Sequence, residues 1–134
     1  MIKNTICHVE KAMASEIVQA AKMKHQTFLV ELDGSEIQSW EDYIIRVETL
    51  MRFPTTCVDN IDRYLDWIRD LSWLNCEGYI LIIYHFDQFL SRDSRIKTII
   101  MESFESTVLP WWQSEIEQFQ VEGKAKPFNV YLVD

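Results

Sequence analysis

Four aspartates, Asp59, Asp62, Asp66 and Asp70, follow one another at spacings of three, four and four in the stretch DNIDRYLDWIRDL. On a helix that spacing gathers the carboxylates on one side. Carboxylates so gathered can do two kinds of chemistry. A pair can share acid–base work if a pocket holds substrate against it. A row on an open face can instead bind cations, including the arginines and lysines of another protein. With Ile61 at zero on a wheel of about 100 degrees per residue, Ile61, Tyr64, Leu65 and Ile68 fall within about 100 degrees and point inward. The four aspartates fall within about 80 degrees on the opposite side. They face water or a partner, which favours binding over catalysis.

The row has a cost. Asp62–Asp66 and Asp66–Asp70 are like-charge pairs at i, i+4, each worth roughly 0.2–0.5 kcal/mol of repulsion. Asp59 and Asp62 lie near the expected helix start, where the macrodipole favours negative charge, but Asp70 lies near its negative end. Arg63 can reach Asp59 and Asp66, and Arg69 can reach Asp66. The net penalty of about 1 kcal/mol is small enough for folding to tolerate either of two readings. One is a solvated face with ordinary ion pairs. The other is an anionic surface shaped for a cationic site.

The elements that must position this row can be read from periodicity. Residues 8–24 place Val9, Met13, Ile17 and Ala20 at helical spacing. Thr27 to Leu32 is a short β-type run that leaves through Asp33-Gly34. Ser39-Trp40-Glu41-Asp42 fits a capping box, and Trp40, Ile44, Val47 and Met51 continue it as one apolar stripe until Pro54. The aspartate helix follows, over about 59–71. Tyr79 to Tyr84 is apolar on both alternating faces, as in a strand covered on both sides. Asp87 to Arg95 is polar apart from Phe89 and Leu90. A long helical pattern then runs through Ile96, Ile100, Phe104, Val108, Trp112, Ile116 and Phe119, with Pro110 predicting a kink or two helices. Gly123 to Pro127 ends it, and Phe128 to Val133 is the last strand. Strands separated by helical crossovers predict an α/β fold with a small three-stranded parallel sheet, order 1-2-3, plus an N-terminal helix. The expected organisation is one domain over 1–134, with 1–26 as a helical extension.

The bulk numbers narrow the function. A chain of 134 residues with 48% apolar content folds, and its formal charge of −8 opposes nonspecific binding to nucleic acid or anionic membrane. The same charge attracts a basic partner. Cys7, Cys57 and Cys76 are widely spaced, without a metal-ligand pattern, and His8, His25 and His85 are scattered. No Gly-rich phosphate loop or nucleophile elbow is present. The first 19 residues lack an apolar core of signal-peptide length, and the longest apolar run is six residues, Tyr79 to Tyr84. The expectation is a reduced, cytoplasmic protein, monomeric when free, with no cofactor and no enzymatic activity.

Leu32-Asp33-Gly34-Ser35-Glu36-Ile37 before a capped helix, then Phe53-Pro54, Asn60-Ile61-Asp62 and Leu65-Asp66, resembles the barstar family of intracellular inhibitors of barnase-type ribonucleases. Asp70-Leu71-Ser72-Trp73, the strand from Tyr79, and Pro127-Phe128 extend the likeness over about 27–134. The resemblance implies a barstar-like fold and a basic ribonuclease or nuclease toxin as partner. It implies that Asp62 and Asp66 enter the nuclease active site and replace RNA phosphates, with Asp59, Thr56, Cys57, Asn60, Arg63 and Asp70 around them. Barnase–barstar binding energies are known quantities and not results of this sequence. The chain departs from the family pattern at Val58, where a glycine is usual, at Thr55 and Thr56 in place of aromatics, and at Arg63 and Tyr64. These departures point to a diverged nuclease or another basic toxin domain. They also leave open a protein-interaction or regulatory module that kept the fold without nuclease inhibition. A further acidic contact from the last helix would come from Glu115, Glu117 or Glu122, whereas Trp111 and Trp112 read as packing.

Overall fold

In the computed structural model, which describes residues 1–134, the three apolar runs form strands that lie side by side in the expected order. In chain order the elements are β1 (Ile6–His8), α1 (Lys11–Met23), β2 (Thr27–Asp33), α2 (Trp40–Leu50), α3 (Ile61–Ile68), β3 (Gly78–Tyr84), α4 (Ser94–Ser103), α5 (Ile116–Phe119) and β4 (Phe128–Leu132). The sheet is parallel throughout, in the order β1-β4-β3-β2.

The expected three-stranded sheet is therefore four-stranded. The extra strand, β1, lies in the segment read as purely helical. Three residues carry no period of their own, so its pairing comes from its neighbour: Ile6 pairs Val130 and His8 pairs Leu132. Asn4 secures the approach. Its Oδ1 accepts from Phe128 N at 3.0 Å and its Nδ2 donates to Leu109 O at 3.1 Å.

The two faces of the sheet are covered unequally. On one face Val30, Leu32, Tyr79, Leu81, Ile83, Phe128, Val130 and Leu132 pack under α2, α3 and α4 in a core of 26 buried residues. On the other, α1 lies over Ile82 and Val133 through Ala14. The buried stripe of α1 is Ala14 and Ala21, with Ile17 and Val18 half-buried beside them, and Met13 is 49% exposed. The stripe predicted from Val9, Met13, Ile17 and Ala20 was rotated by about one residue, because alanine allows closer approach than methionine to a flat sheet.

Helix α2 starts at the expected cap, with the return bond made one residue ahead of it. Ser39 Oγ accepts from Asp42 N at 3.0 Å, and Asp42 Oδ2 accepts in return from Gln38 N at 2.9 Å. Asp33-Gly34 is a strand exit, not a hairpin turn. A Cβ at Gly34 would lie 2.6 Å from His85 O, so only glycine lets the exits of β2 and β3 pass so closely. Phe89 and Leu90, the two apolar residues of the otherwise polar segment 87–95, are fully buried. Around Pro110 the helix neither breaks nor simply kinks. It widens into i→i+5 turns over Phe104–Val108 and Trp111–Glu115, which accommodate a residue without N–H. No helix is long and apolar enough to cross a membrane.

Candidate functional site

The aspartate row is carried by a shorter helix than its pattern suggests. Asn60 is the N-cap, and its Oδ1 accepts from Arg63 N at 3.0 Å. The helix ends at Ile68, and Leu71 takes a left-handed φ of 53°. Asp59 thus precedes the helix and Asp70 lies beyond it, where its Oδ1 accepts from Ser72 N at 3.1 Å. The expected helix of 59–71 with four carboxylates on it is corrected to 61–68 with two.

All four aspartates are exposed. Asp62 makes no hydrogen bond or ion pair. Asp66 meets Arg69 through one oxygen only, Oδ1 at 3.2 Å from Nη2, and its side chain is 74% exposed. Asp59 is 3.9 Å from Arg63 at 85% exposure, a loose contact. Pairs as open as these contribute about 0–1 kcal/mol and leave the carboxylates available. Arg63 is drawn toward the loop ahead of the helix, away from Asp62 and Asp66: its Nη1 donates to Thr56 O at 3.0 Å. It does not obstruct an approaching cation.

What fixes the ridge is a set of hydrogen bonds from large side chains. All five tryptophans of the chain donate their indole N–H into residues 51–69. Trp40 reaches Val58 O at 2.7 Å, Trp67 reaches Thr55 Oγ1 at 2.9 Å, and Trp73 reaches Met51 O at 2.8 Å. Trp111 and Trp112 reach Arg69 O at 2.8 Å and Ile68 O at 2.9 Å. The last two satisfy carbonyls that a helix C-terminus leaves without partners. Beneath the ridge, the Tyr64 and Tyr43 hydroxyls meet at 2.6 Å in full burial, which raises both phenols above their ordinary range and keeps them neutral.

The loop ahead of the helix is clamped from α2. Glu48 Oε1 accepts from Thr56 Oγ1 at 3.0 Å and Oε2 accepts from Cys57 N at 2.8 Å. Cys57, expected among the contacts of the site, is fully buried and holds the loop from inside. Burial first, then the Glu48 carboxylate, push its thiol up to about 11. Thr56 remains exposed, and Asn60 is occupied in capping. Of the acids considered on the last helix, Glu117 is engaged by Ala125 N at 3.2 Å, and Glu122 sits in a turn with φ 63°. Sequence reasoning did not single out Glu48 or the indole bonds. The available signal was only the count of five tryptophans in 134 residues, since their spread from 40 to 112 points to no one helix.

The arrangement suits binding more than acid–base work. The ridge is convex, with one hollow of about 310 Å³ beside it, lined by Asp66, Trp67, Arg69, Asp70, Trp111 and Gln120. A larger hollow of about 850 Å³ lies between β1 and α4 and contains none of the ridge residues. No three of the His, Cys, Asp and Glu side chains converge as a metal site would need.

No curated protein matches this chain. Among solved structures, that titled "Structure of the Aeropyrum Pernix ORC2 protein (ADPNP-ADP complexes)" is similar with a TM-score of 0.54 at 11% identity. The likeness covers 97% of this chain and 34% of that one, and it concerns the fold alone. The chain thus spans about a third of that protein's length. Residues 27–132 match the family model of Barstar (barnase inhibitor), which takes in β2, α2, the clamped loop, α3, β3 and β4. The expected resemblance is thereby met, and the chain belongs to the barstar family.

Proposed function

We propose that this protein binds a basic ribonuclease or related nuclease toxin and blocks its active site with the acidic face of α3, as an immunity protein does. The observation that carries the reading is Asp62, exposed and unpaired on a rigid helix, one turn before Asp66 with an unpaired oxygen. A nuclease cleft is a preorganised cationic site. Carboxylates held in place can fill it without presenting a bond to cleave. Because the helix is already fixed by Trp40, Trp111, Trp112 and Glu48, little ordering entropy remains to oppose association. The partner is a protein, the inhibitor acts as a monomer in the cytoplasm, and no cofactor takes part.

The test is inhibition of, and calorimetric binding to, a barnase-type ribonuclease and the nuclease domains of toxins. The double variant Asp62→Ala, Asp66→Ala should keep the parent's thermal midpoint and lose several kcal/mol of binding. The parent's association rate should also fall as salt is raised. A variant that inhibits as well as the parent removes the assignment.

One observation favours a second reading, a regulatory protein-binding module. The loop of Pro54 to Val58 presents threonines and no aromatic side chain, so it lacks the anchors that usually concentrate interface energy. Under that reading the chain binds no nuclease, and the same calorimetric panel returns no heat.

A further inference from the structure

The edge strand β1 is unfinished on one side. Val130 N donates to Thr5 O at 3.0 Å and Val9 N to Leu132 O at 2.9 Å, so Thr5 and Val9 turn their backbones toward β4. Backbone groups alternate along a strand, so those of Ile6 and His8 face the open edge, and the pairing with β4 does not use them. His8 O meets only the Cys7 thiol, at 3.8 Å. The strand, Ile6-Cys7-His8, carries no proline or lysine, the residues that usually blunt an exposed edge.

The groove of about 850 Å³ runs along this edge. Its far wall is one face of the long helical segment, because Thr98, Glu102, Glu105, Leu109 and Gln113 recur every three or four residues. One end is fixed where Asn4 N donates to Gln113 Oε1 at 2.9 Å. At the other end Lys97 Nζ donates to Phe86 O at 3.2 Å and lies 4.3 Å from the centroid of that ring. At the rise of a helix, the distance from Lys97 to Gln113 is about 24 Å, the span of about seven extended residues. Ile6, Met101 and Leu109 give the groove an apolar floor. Glu102 and Glu105 fall between its two ends, exposed and without an ion pair.

We propose that β1 is a docking edge for an extended peptide of another protein, which adds to the sheet as a further strand and sets a basic side chain beside Glu102 and Glu105. The outward backbone groups of Ile6 and His8 supply the main-chain bonds. The groove selects the side chains at alternate positions, in the pattern apolar, basic, apolar. A second copy of this chain suits the edge poorly. Pairing β1 with itself would bring the glutamates of two chains together, each chain already at −8. The groove contains no residue of the α3 ridge, and the inference stands apart from the reading of that ridge.

The test adds acetyl-Thr-Val-Thr-Lys-Thr-Val-Thr-amide to the full-length ¹⁵N-labelled protein and follows amide hydrogen exchange. Without peptide, the Ile6 and His8 amides should exchange fast and the Val9 and Val130 amides slowly. Millimolar peptide should slow Ile6 and His8. A glutamate in place of the peptide's lysine, or Glu102→Gln with Glu105→Gln in the protein, should weaken binding by about fivefold. His8→Pro removes an outward N–H without breaking a bond to β4, and should abolish binding at an unchanged thermal midpoint. His8→Ala keeps that N–H and should bind like the parent. No slowing at Ile6 and His8, slowing on the outer edge of β2 instead, or equal affinity for the lysine and glutamate peptides overturns the proposal. So does a dimer whose formation protects Ile6 and His8, since the edge would then pair with itself. Asp62→Ala with Asp66→Ala should leave the peptide's affinity unchanged. A loss there would place the peptide on the ridge and reject the edge.

Discussion

Helices α1 and α3 lie on opposite faces of one sheet and are held there by different means. The first has 13 residues and rests on the sheet through Ala14, with Ile17 and Val18 beside it. The second has eight, shorter than an isolated helix needs in water. It persists because Tyr64 and Ile68 are buried and because indoles from the last helical segment bond the carbonyls at its end. The longer helix is a cover, held by apolar contact with the sheet. The shorter one is imposed by its surroundings, and that is the better platform for carboxylates that must stay put. A helix held by apolar contact alone has room to shift on its sheet, whereas one fixed by directional bonds at several points has a single position.

The contrast predicts unequal costs on the two faces. The largest should follow Trp112→Ala. Trp112 is 2% exposed, packs on Tyr79 with ring centroids 5.2 Å apart, and bonds the end of α3. Removing it should cost about 3–5 kcal/mol in urea denaturation. Affinity for the partner should fall as well, because α3 loses a tether. If stability falls and affinity does not, the tethers serve the core alone.

On the other face, Ala14→Leu should cost less, about 1–3 kcal/mol, through overpacking against Ile82 and Val133. It should leave partner binding unchanged, because the ridge and α1 do not share a face. The check is the same denaturation series together with calorimetry. A larger loss than that of Trp112→Ala would invert the ordering drawn here between a tethered helix and a cover.

Legibility in the sequence divided along similar lines. Elements defined by period could be read: Tyr79 to Tyr84 as a strand covered on both sides, Ser39–Asp42 as a cap, and the order of β2, β3 and β4. Features defined by a distant partner could not. Ile6–His8 is a strand only because β4 is beside it. The phase of α1 depends on which residue can approach a flat sheet closely, and Ala14 looks no more apolar than Met13. The ends of α3 were misplaced because aspartate spacing continues past Arg69, while the backbone turns away at Leu71. Asp62 and Asp66 were legible as outward-facing. What anchors them was not, since an indole N–H has no local period and finds its carbonyl only in the folded chain.

The two regions also carry their own chemical reporters, with the smallest expected effect. Cys7 is exposed on β1, whereas Cys57 is buried in the loop that Glu48 clamps beneath the ridge. Near neutral pH a small alkylating reagent should modify Cys7 quickly and Cys57 only when the loop opens, because the thiolate is the reactive form. Burial and the Glu48 carboxylate hold the folded Cys57 thiol at about 11, above its ordinary 9.0, so the folded chain keeps a proton that the unfolded chain releases first. The associated stability is complete below pH 9 and declines as pH rises from 9 toward 11. Cys76 is raised as well, chiefly by burial, and acts with the same sign. Urea midpoints should therefore fall between about pH 9 and 10.5 in the parent and fall less in Cys57→Ala. An equal fall in both proteins would show that the loop admits water freely. In that event Glu48 would not be holding it shut, and the preorganisation ascribed to α3 would have to come from the tryptophans alone.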